Sequence, residues 1–426
     1  MTADASHPVR TGATEGLSLS RRRFLQAALA TGGTATLLNG PLGGIARAAE
    51  PLGPADPILV LVQLVGGNDG LNTVIPMTDA AYRAVRPQIN LAPAALPLAR
   101  GLGLHPALTG LKAQWDQGRL AIVQGAGKTD GDLSHFSSTA TWMAGTSSGT
   151  DRSTGWIGRY LDTLADGSDG LRGVVLGSSI PLQVVGTRAA VTALPASGQP
   201  FGANRAQEWE RRMFWSIAAY GAAPTGLGPW GDALAANDTA AINRASTVAP
   251  LFPSGATPPS GVLTPQLDLA ARLINLNLGV KVVSASFGSF DTHDDQLNAH
   301  AGVLTDLDRA ISRFFTTLDP VWADQVVIVT YSEFGRRVEQ NSSRGTDHGG
   351  ASTMFVLGPN VKGGLYGTRP SLTDLDTRGD LKTTVDFRRV YASVLARWLG
   401  ADPAAVLGKA YTELDLFRAG PGQTVL

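Results

Sequence analysis

The chain has 426 residues, 43% of them apolar and 16% charged, the proportions of a globular protein of one large or two ordinary domains. Its 35 Lys and Arg balance 35 Asp and Glu, so there is no net field to gather nucleic acid or an anionic membrane. It contains no cysteine, which excludes disulfides, thiolate metal ligands, iron–sulfur clusters and thiol nucleophiles. Any metal must therefore be held by carboxylate, imidazole, hydroxyl or backbone oxygen, and only six His are present.

The amino terminus reads as an address. Ser20-Arg21-Arg22-Arg23-Phe24-Leu25-Gln26 places an arginine pair before a mildly apolar stretch that runs to Leu38. That stretch is shorter than the roughly 20 residues a spanning helix needs. Ala46-Arg47-Ala48 supplies a small-x-small cleavage pattern. Residues 1–48 are expected to be a twin-arginine signal peptide read by the twin-arginine translocase. The mature chain, 49–426, is then expected in the periplasm or outside the cell, with no integral membrane segment.

Ile58–Val65 (ILVLVQLV) is a continuous Val/Ile/Leu run ending in Gly66-Gly67, the pattern of a strand buried on both faces of a parallel sheet. A helix is expected over His105–Trp115, a strand over Arg119–Gln124, and helices from about Phe136 to Met143 and from Trp156 to Leu164. Residues 166–262 turn rich in Ala, Gly, Pro and Ser, with short β runs at Gly173–Leu176 and Leu182–Val185 and a helical Trp209–Tyr220. This segment reads as an insertion or cap on the main sheet. Alternation then resumes: helix Gln266–Leu278, strand Val280–Ser286, helix Asp295–Leu318, strand Gln325–Tyr331, strand Thr353–Leu357 and helix Phe387–Leu399. Such alternation predicts an α/β fold with a doubly wound, mainly parallel sheet and right-handed crossovers.

Ligands of an open α/β sheet bind beyond the carboxyl ends of its strands, and polar clusters follow four of these strands. They are Gly66-Gly67-Asn68-Asp69-Gly70-Leu71-Asn72, Asp130–Phe136 (DGDLSHF), Ser289–Gln296 (SFDTHDDQ), and Ser332-Glu333-Phe334-Gly335-Arg336 followed by Gly345–Gly350 (GTDHGG). His135, His293 and His348 all fall in them. Asp291 and His293, two apart on an extended chain, point the same way and suit one metal ion. Asp347 and His348 lie in a glycine-rich loop where His can ligate, and Asp69 sits just past a buried strand, placed for a metal. Glu333 is a further candidate ligand. Ser134 stands where a helix begins, where backbone N–H groups favour an anion; it can serve as a nucleophile or simply as a helix cap. His135 beside it is grouped with the catalytic candidates. Arg336 can clamp a phosphate or sulfate oxygen pair, or pair with Glu333. His105 reads as a helix brace and His300 as solvated.

These five motifs, in this order, together resemble the exported family called domain of unknown function 1501, over nearly the whole mature chain. That family is similar to the alkaline phosphatase and sulfatase superfamily, α/β hydrolases with one or two divalent metals, so the resemblance implies an alkaline phosphatase-like fold. It also implies that Asp69 serves a second metal, that Ser134 is the nucleophile, and that Asp291, His293 and the late His348 serve the first metal. The chain departs from the superfamily in carrying Ser332-Glu333 where an Asp-His pair is usual, and its Asp291–His293 spacing is narrower. One metal, a different metal or none stays open. The leading expectation is a secreted hydrolase of phosphate, sulfate or related anionic esters, small or polymeric, with zinc first among the divalent ions and calcium, magnesium or manganese as alternatives. The other reading is a non-catalytic secreted binding or assembly protein on a degenerate hydrolase scaffold. A redox enzyme ranks low, because no Gly-x-Gly-x-x-Gly follows a strand.

Overall fold

The computed structural model describes residues 50–418, apart from 147–152, 165–169, 197–207, 223–225, 227 and 254–256. The expected signal segment, residues 1–48, lies outside the described residues.

A nine-stranded sheet organises the molecule. Its strands are β1 (Ile58–Leu64), β2 (Leu120–Gly127), β3 (Gly173–Leu176), β4 (Thr192–Leu194), β5 (Val282–Phe287), β6 (Val326–Tyr331), β7 (Ser352–Leu357), β8 (Gly364–Tyr366) and β9 (Val385–Asp386). The order across the sheet is β8-β2-β7-β6-β1-β5-β3-β4, with β9 also on β2. Every pairing is parallel except those of β7, which runs antiparallel between β6 and β2. All seven residues of β1 are buried, as its apolar run requires. Ile58, Val60, Val62 and Leu64 enter one core and Leu59 and Leu61 the other. Each such side chain stabilises the fold by about 1.5–3 kcal/mol relative to exposure.

Helices cover both faces. On the first lie α1 (Thr109–Asp116), part of the same core as α2 (Leu263–Asn275) and α3 (Gln296–Thr317). On the second lie α4 (His135–Ala144), α5 (Trp156–Thr163) and α6 (Phe387–Ser393), whose Trp142, Trp156 and Tyr391 fill the core with stacked rings. This is the doubly wound, mainly parallel α/β sheet expected.

Three local readings change. The helix expected from His105 begins at Thr109: no side chain at its own start caps it, and Asp308 of α3 accepts from Gly110 N and Leu111 N at 2.9 and 2.8 Å. Leu182–Val184 is a 3-10 turn after Pro181, not a strand. The segment 166–262 is not wholly an insertion, since β3 pairs with β5 and β4 with β3, extending the main sheet. Among the described residues no helix is long and apolar enough to cross a membrane.

Candidate metal centre

Parallel β1, β5 and β6 deliver their carboxyl ends to one edge, and two glycines let the loops close on each other. Gly66 (φ 120°) has Asp291 N only 2.5 Å from where a Cβ would sit, and Gly67 (φ 78°) is packed against the Phe334 ring. Any side chain at Gly66 would push Asp291 out of place.

At this edge the ligand atoms of His135, Asp291 and His348 lie within 4.8 Å of one another. His293 joins them, its Nε2 2.9 Å from Asp291 Oδ1 and 3.0 Å from His348 Nε2. His348 Nε2 is 3.1 Å from Asp291 Oδ1, and His135 Nε2 3.5 Å from Asp291 Oδ2. Each ring is held from behind through Nδ1: His135 by Glu333 Oε1 at 2.9 Å, His293 by Asp347 Oδ1 at 3.3 Å, and His348 by the Leu133 carbonyl at 3.0 Å. Carboxylates and carbonyls accept, so in the neutral rings the proton sits on Nδ1 and the Nε2 lone pair faces inward. Three inward lone pairs and the Asp291 carboxylate form an electron-rich pocket, edged by Arg336 with Nη1 3.4 Å from His293 Nε2 and Nη2 donating to Asp291 Oδ1 at 2.6 Å, and a divalent cation would satisfy it. Second partners on Nδ1 are the arrangement metal-ligating histidines use. The donor set fits one divalent ion on Asp291, His135, His293 and His348.

Burial pushes the Asp291 carboxyl up, but the hydrogen bond and charge of Arg336 outweigh it and hold the group below the usual carboxylate value. The group is thus ionised at neutral pH. Burial, set against Asp291, lowers His348 from the usual imidazole value, which favours the neutral ring.

The remaining sequence candidates take other positions. Asp69 is not at this centre: it is fully buried, caps a short turn of helix by accepting from Leu71 N and Asn72 N, and pairs with Arg86 at 2.6 Å. Gln296 Nε2 also donates to it, so its lone pairs are occupied. Glu333 stands behind His135 and accepts from Gly66 N at 2.8 Å, as a positioning carboxylate and not a ligand. Asp347 likewise serves His293 and Asn341. Arg336 is 1% exposed, and its guanidinium donates to the carbonyls of Gly66, Gly67, Phe290 and Thr346 and to Asp291. It has no donor free to clamp an oxyanion; it welds three loops together and fixes Asp291. Ser134 precedes α4, exposed, with its hydroxyl not capping the helix.

His300 is the other correction, being 1% exposed with Nε2 3.0 Å from Asn68 Oδ1. It lies on the stripe His300-Leu304-Leu307-Ile311-Phe314 of α3, all buried, and that helical spacing was the available signal. Buried His105 accepts from Ala107 N at 3.1 Å, bracing the approach to α1. Burial lowers His300 to about 3 and His105 to about 4. Both rings stay neutral in the fold while the unfolded chain protonates near 6.5. Stability is therefore complete above that pH and is lost as pH falls from 6.5 toward 4 and 3, by up to about 1.4 kcal/mol per pH unit for each ring. Urea midpoints measured from pH 7 to pH 5 should fall steeply for the natural chain and less steeply for His300→Gln. Equal slopes would assign the acid sensitivity elsewhere.

Fold and site together define an α/β protein with a His/Asp cluster at the carboxyl edge of its sheet that could hold a cation. The chain belongs to the family described as Protein of unknown function (DUF1501), whose model matches residues 57–409. No curated protein matches it. Among solved structures it is similar to Ps i-CgsB in complex with k-i-k-neocarrahexaose, at 10% identity and a TM-score of 0.38, covering 84% of this chain and 73% of that one. It is also similar to BT1596, a 2-O GAG sulfatase (11% identity, TM-score 0.31, 84% and 71% covered), and to a putative sulfatase from Bacteroides thetaiotaomicron (12%, 0.31, 86% and 73%).

Proposed function

We propose that this protein is a metal-dependent hydrolase of phosphate, sulfate or related anionic esters, working outside the cytoplasm. The observation that carries the reading is the convergence of Asp291, His135, His293 and His348, each imidazole fixed from behind with its lone pair turned inward. A divalent ion bound there would act as a Lewis acid toward an ester oxygen and stabilise charge on it. Glu333, Asp347 and the Leu133 carbonyl orient the rings. Arg336 keeps Asp291 ionised and in place.

Ser134 is the proposed nucleophile. It adjoins His135 in the chain at the start of α4, where the helix N-terminus favours an oxyanion. Ser134→Ala should lower turnover of any ester the natural protein hydrolyses by at least about a thousandfold while leaving metal content unchanged. Retained turnover in that variant would remove Ser134 from the mechanism and leave hydrolysis to water.

One observation favours the second reading, a non-catalytic binding or assembly protein. Asp69, which the resemblance offers for a second cation, and Arg336, which the sequence offers as an oxyanion clamp, are both committed to internal contacts. Full metal occupancy with no turnover across aryl phosphates and sulfates would favour that reading.

Export through the twin-arginine route rests on Ser20–Gln26 and on the fit of a cation-loaded site to a protein that folds before transport. Changing Arg21 and Arg22 to Lys together should leave the protein in the cytoplasmic fraction; unchanged export would set this part aside.

A further inference from the structure

An open cleft of about 510 Å³ adjoins the metal centre, with His135, Asp291 and Glu333 at its floor. Its walls are Val65, Phe136, Ala140, Met143 and Leu182. Phe136 follows His135 directly in α4 and is 91% exposed, the most exposed of the large hydrophobic residues among those described. Its ring is continuous with the apolar walls of the cleft, and a contiguous apolar surface of this kind marks a ligand-binding groove. The rest of the lining is uncharged, Gly66, Thr139 and Ser289; among the described residues no Lys or Arg faces the cleft. Arg336, fixed on Asp291, directs its donors to carbonyls, that carboxylate and His293 Nε2. Sites for multiply charged groups surround them with cations, and this wall offers none.

We infer that the cleft receives the uncharged, apolar part of the substrate, with the exposed ring of Phe136 as its platform, so that the preferred ester carries a compact aryl or similarly apolar group and not a charged polymer chain. The inference rests on the hydrolase reading for the word ester, but the recognition it describes does not need turnover. An apolar group seated on Phe136 exchanges water for ring and aliphatic contact. Its anionic end then reaches toward Asp291 and the histidines, the only part of the cleft where a bound cation would meet it. Thr139 and Ser289 give the wall hydroxyls but no charge.

The test uses the full mature chain loaded with zinc and two stable probes, phenylphosphonate and methylphosphonate, titrated calorimetrically. Phenylphosphonate should bind at least about tenfold more tightly than methylphosphonate, the scale on which apolar pockets discriminate. Phe136→Ala should remove most of that preference and leave methylphosphonate binding within about twofold. The position is exposed, so the variant should melt with the natural protein. Equal affinity for the two probes, no binding of either, or a preference that survives Phe136→Ala would each overturn the inference. Turnover of aryl phosphates and sulfates, measured in parallel, separates the two ideas. Preference without turnover sinks hydrolysis and keeps the cleft; turnover without preference does the reverse.

Discussion

Asp69→Ala should destabilise the protein by about 3–5 kcal/mol while leaving its metal affinity within a few-fold of the natural value. The reason is the guanidinium it abandons. Arg86 is fully buried and donates to Asp69 at 2.6 Å, to Asn72 Oδ1 at 2.8 Å and to the carbonyls of Val338 and Arg337, both at 2.7 Å. This one side chain ties the turn after β1 to the loop after β6. With the carboxylate gone, a cation remains in the interior with no counter-charge, the circumstance in which breaking a buried pair costs most. Burial raises the Asp69 carboxyl, but the charge of Arg86 outweighs it and the group lies below its ordinary value, which marks it as ionised in the fold. Asp69→Asn keeps the volume and part of the hydrogen bonding and should cost less than the alanine. Urea unfolding with intrinsic tryptophan fluorescence measures the first quantity, and zinc titration the second. A near-normal midpoint together with lost metal would instead restore Asp69 to the ligands.

The contrast between Asp69 and Asp291 shows what the sequence can and cannot carry. Both follow a buried strand in a glycine- or serine-rich turn, so both look equally available. What separates them is the partner across space: Arg86 and Gln296 for one, three imidazoles and Arg336 for the other. Strands β1 and β6 were legible because two-sided burial demands an unbroken apolar run, and strand ends locate the loops. The antiparallel direction of β7 was not, since no local pattern distinguishes it from its parallel neighbours. The sequence places Glu333, Asp347 and Arg336 in the right loops but reads them as direct ligands or an oxyanion clamp, whereas they position other groups. A motif records which donors are nearby, whereas whether a carboxylate faces the cation or the back of a histidine depends on packing. His300 reads as solvated from its place about two helical turns beyond His293, whereas its neighbours at helical spacing, Leu304 and Leu307, carry it into the core.

Adding zinc to chelator-treated protein should raise the midpoint of thermal unfolding on the order of 10 °C. Binding stabilises by about 4 kcal/mol when free metal exceeds the dissociation constant a thousandfold, and in a chain of this size each kcal/mol shifts the midpoint by a few degrees at most. Calcium and magnesium should do far less, because three imidazole nitrogens suit zinc, while those ions seek oxygen. Asp291→Ala and His348→Ala should each abolish the shift, one by removing the anionic donor and the other by opening the ring of lone pairs. Glu333→Gln separates holding from ligating. It keeps an acceptor near His135 Nδ1 but loses the charge that raises the basicity of the ring, so zinc should bind about 10–100-fold more weakly and still stabilise. The effect should also fade below neutral pH as protons compete for the Nε2 positions. Equal midpoints with zinc and with chelator, in the natural chain, would mean that the inward-facing rings hold no ion. The hydrolase reading would then lose its foundation, leaving the cleft beside Phe136 as a binding site alone.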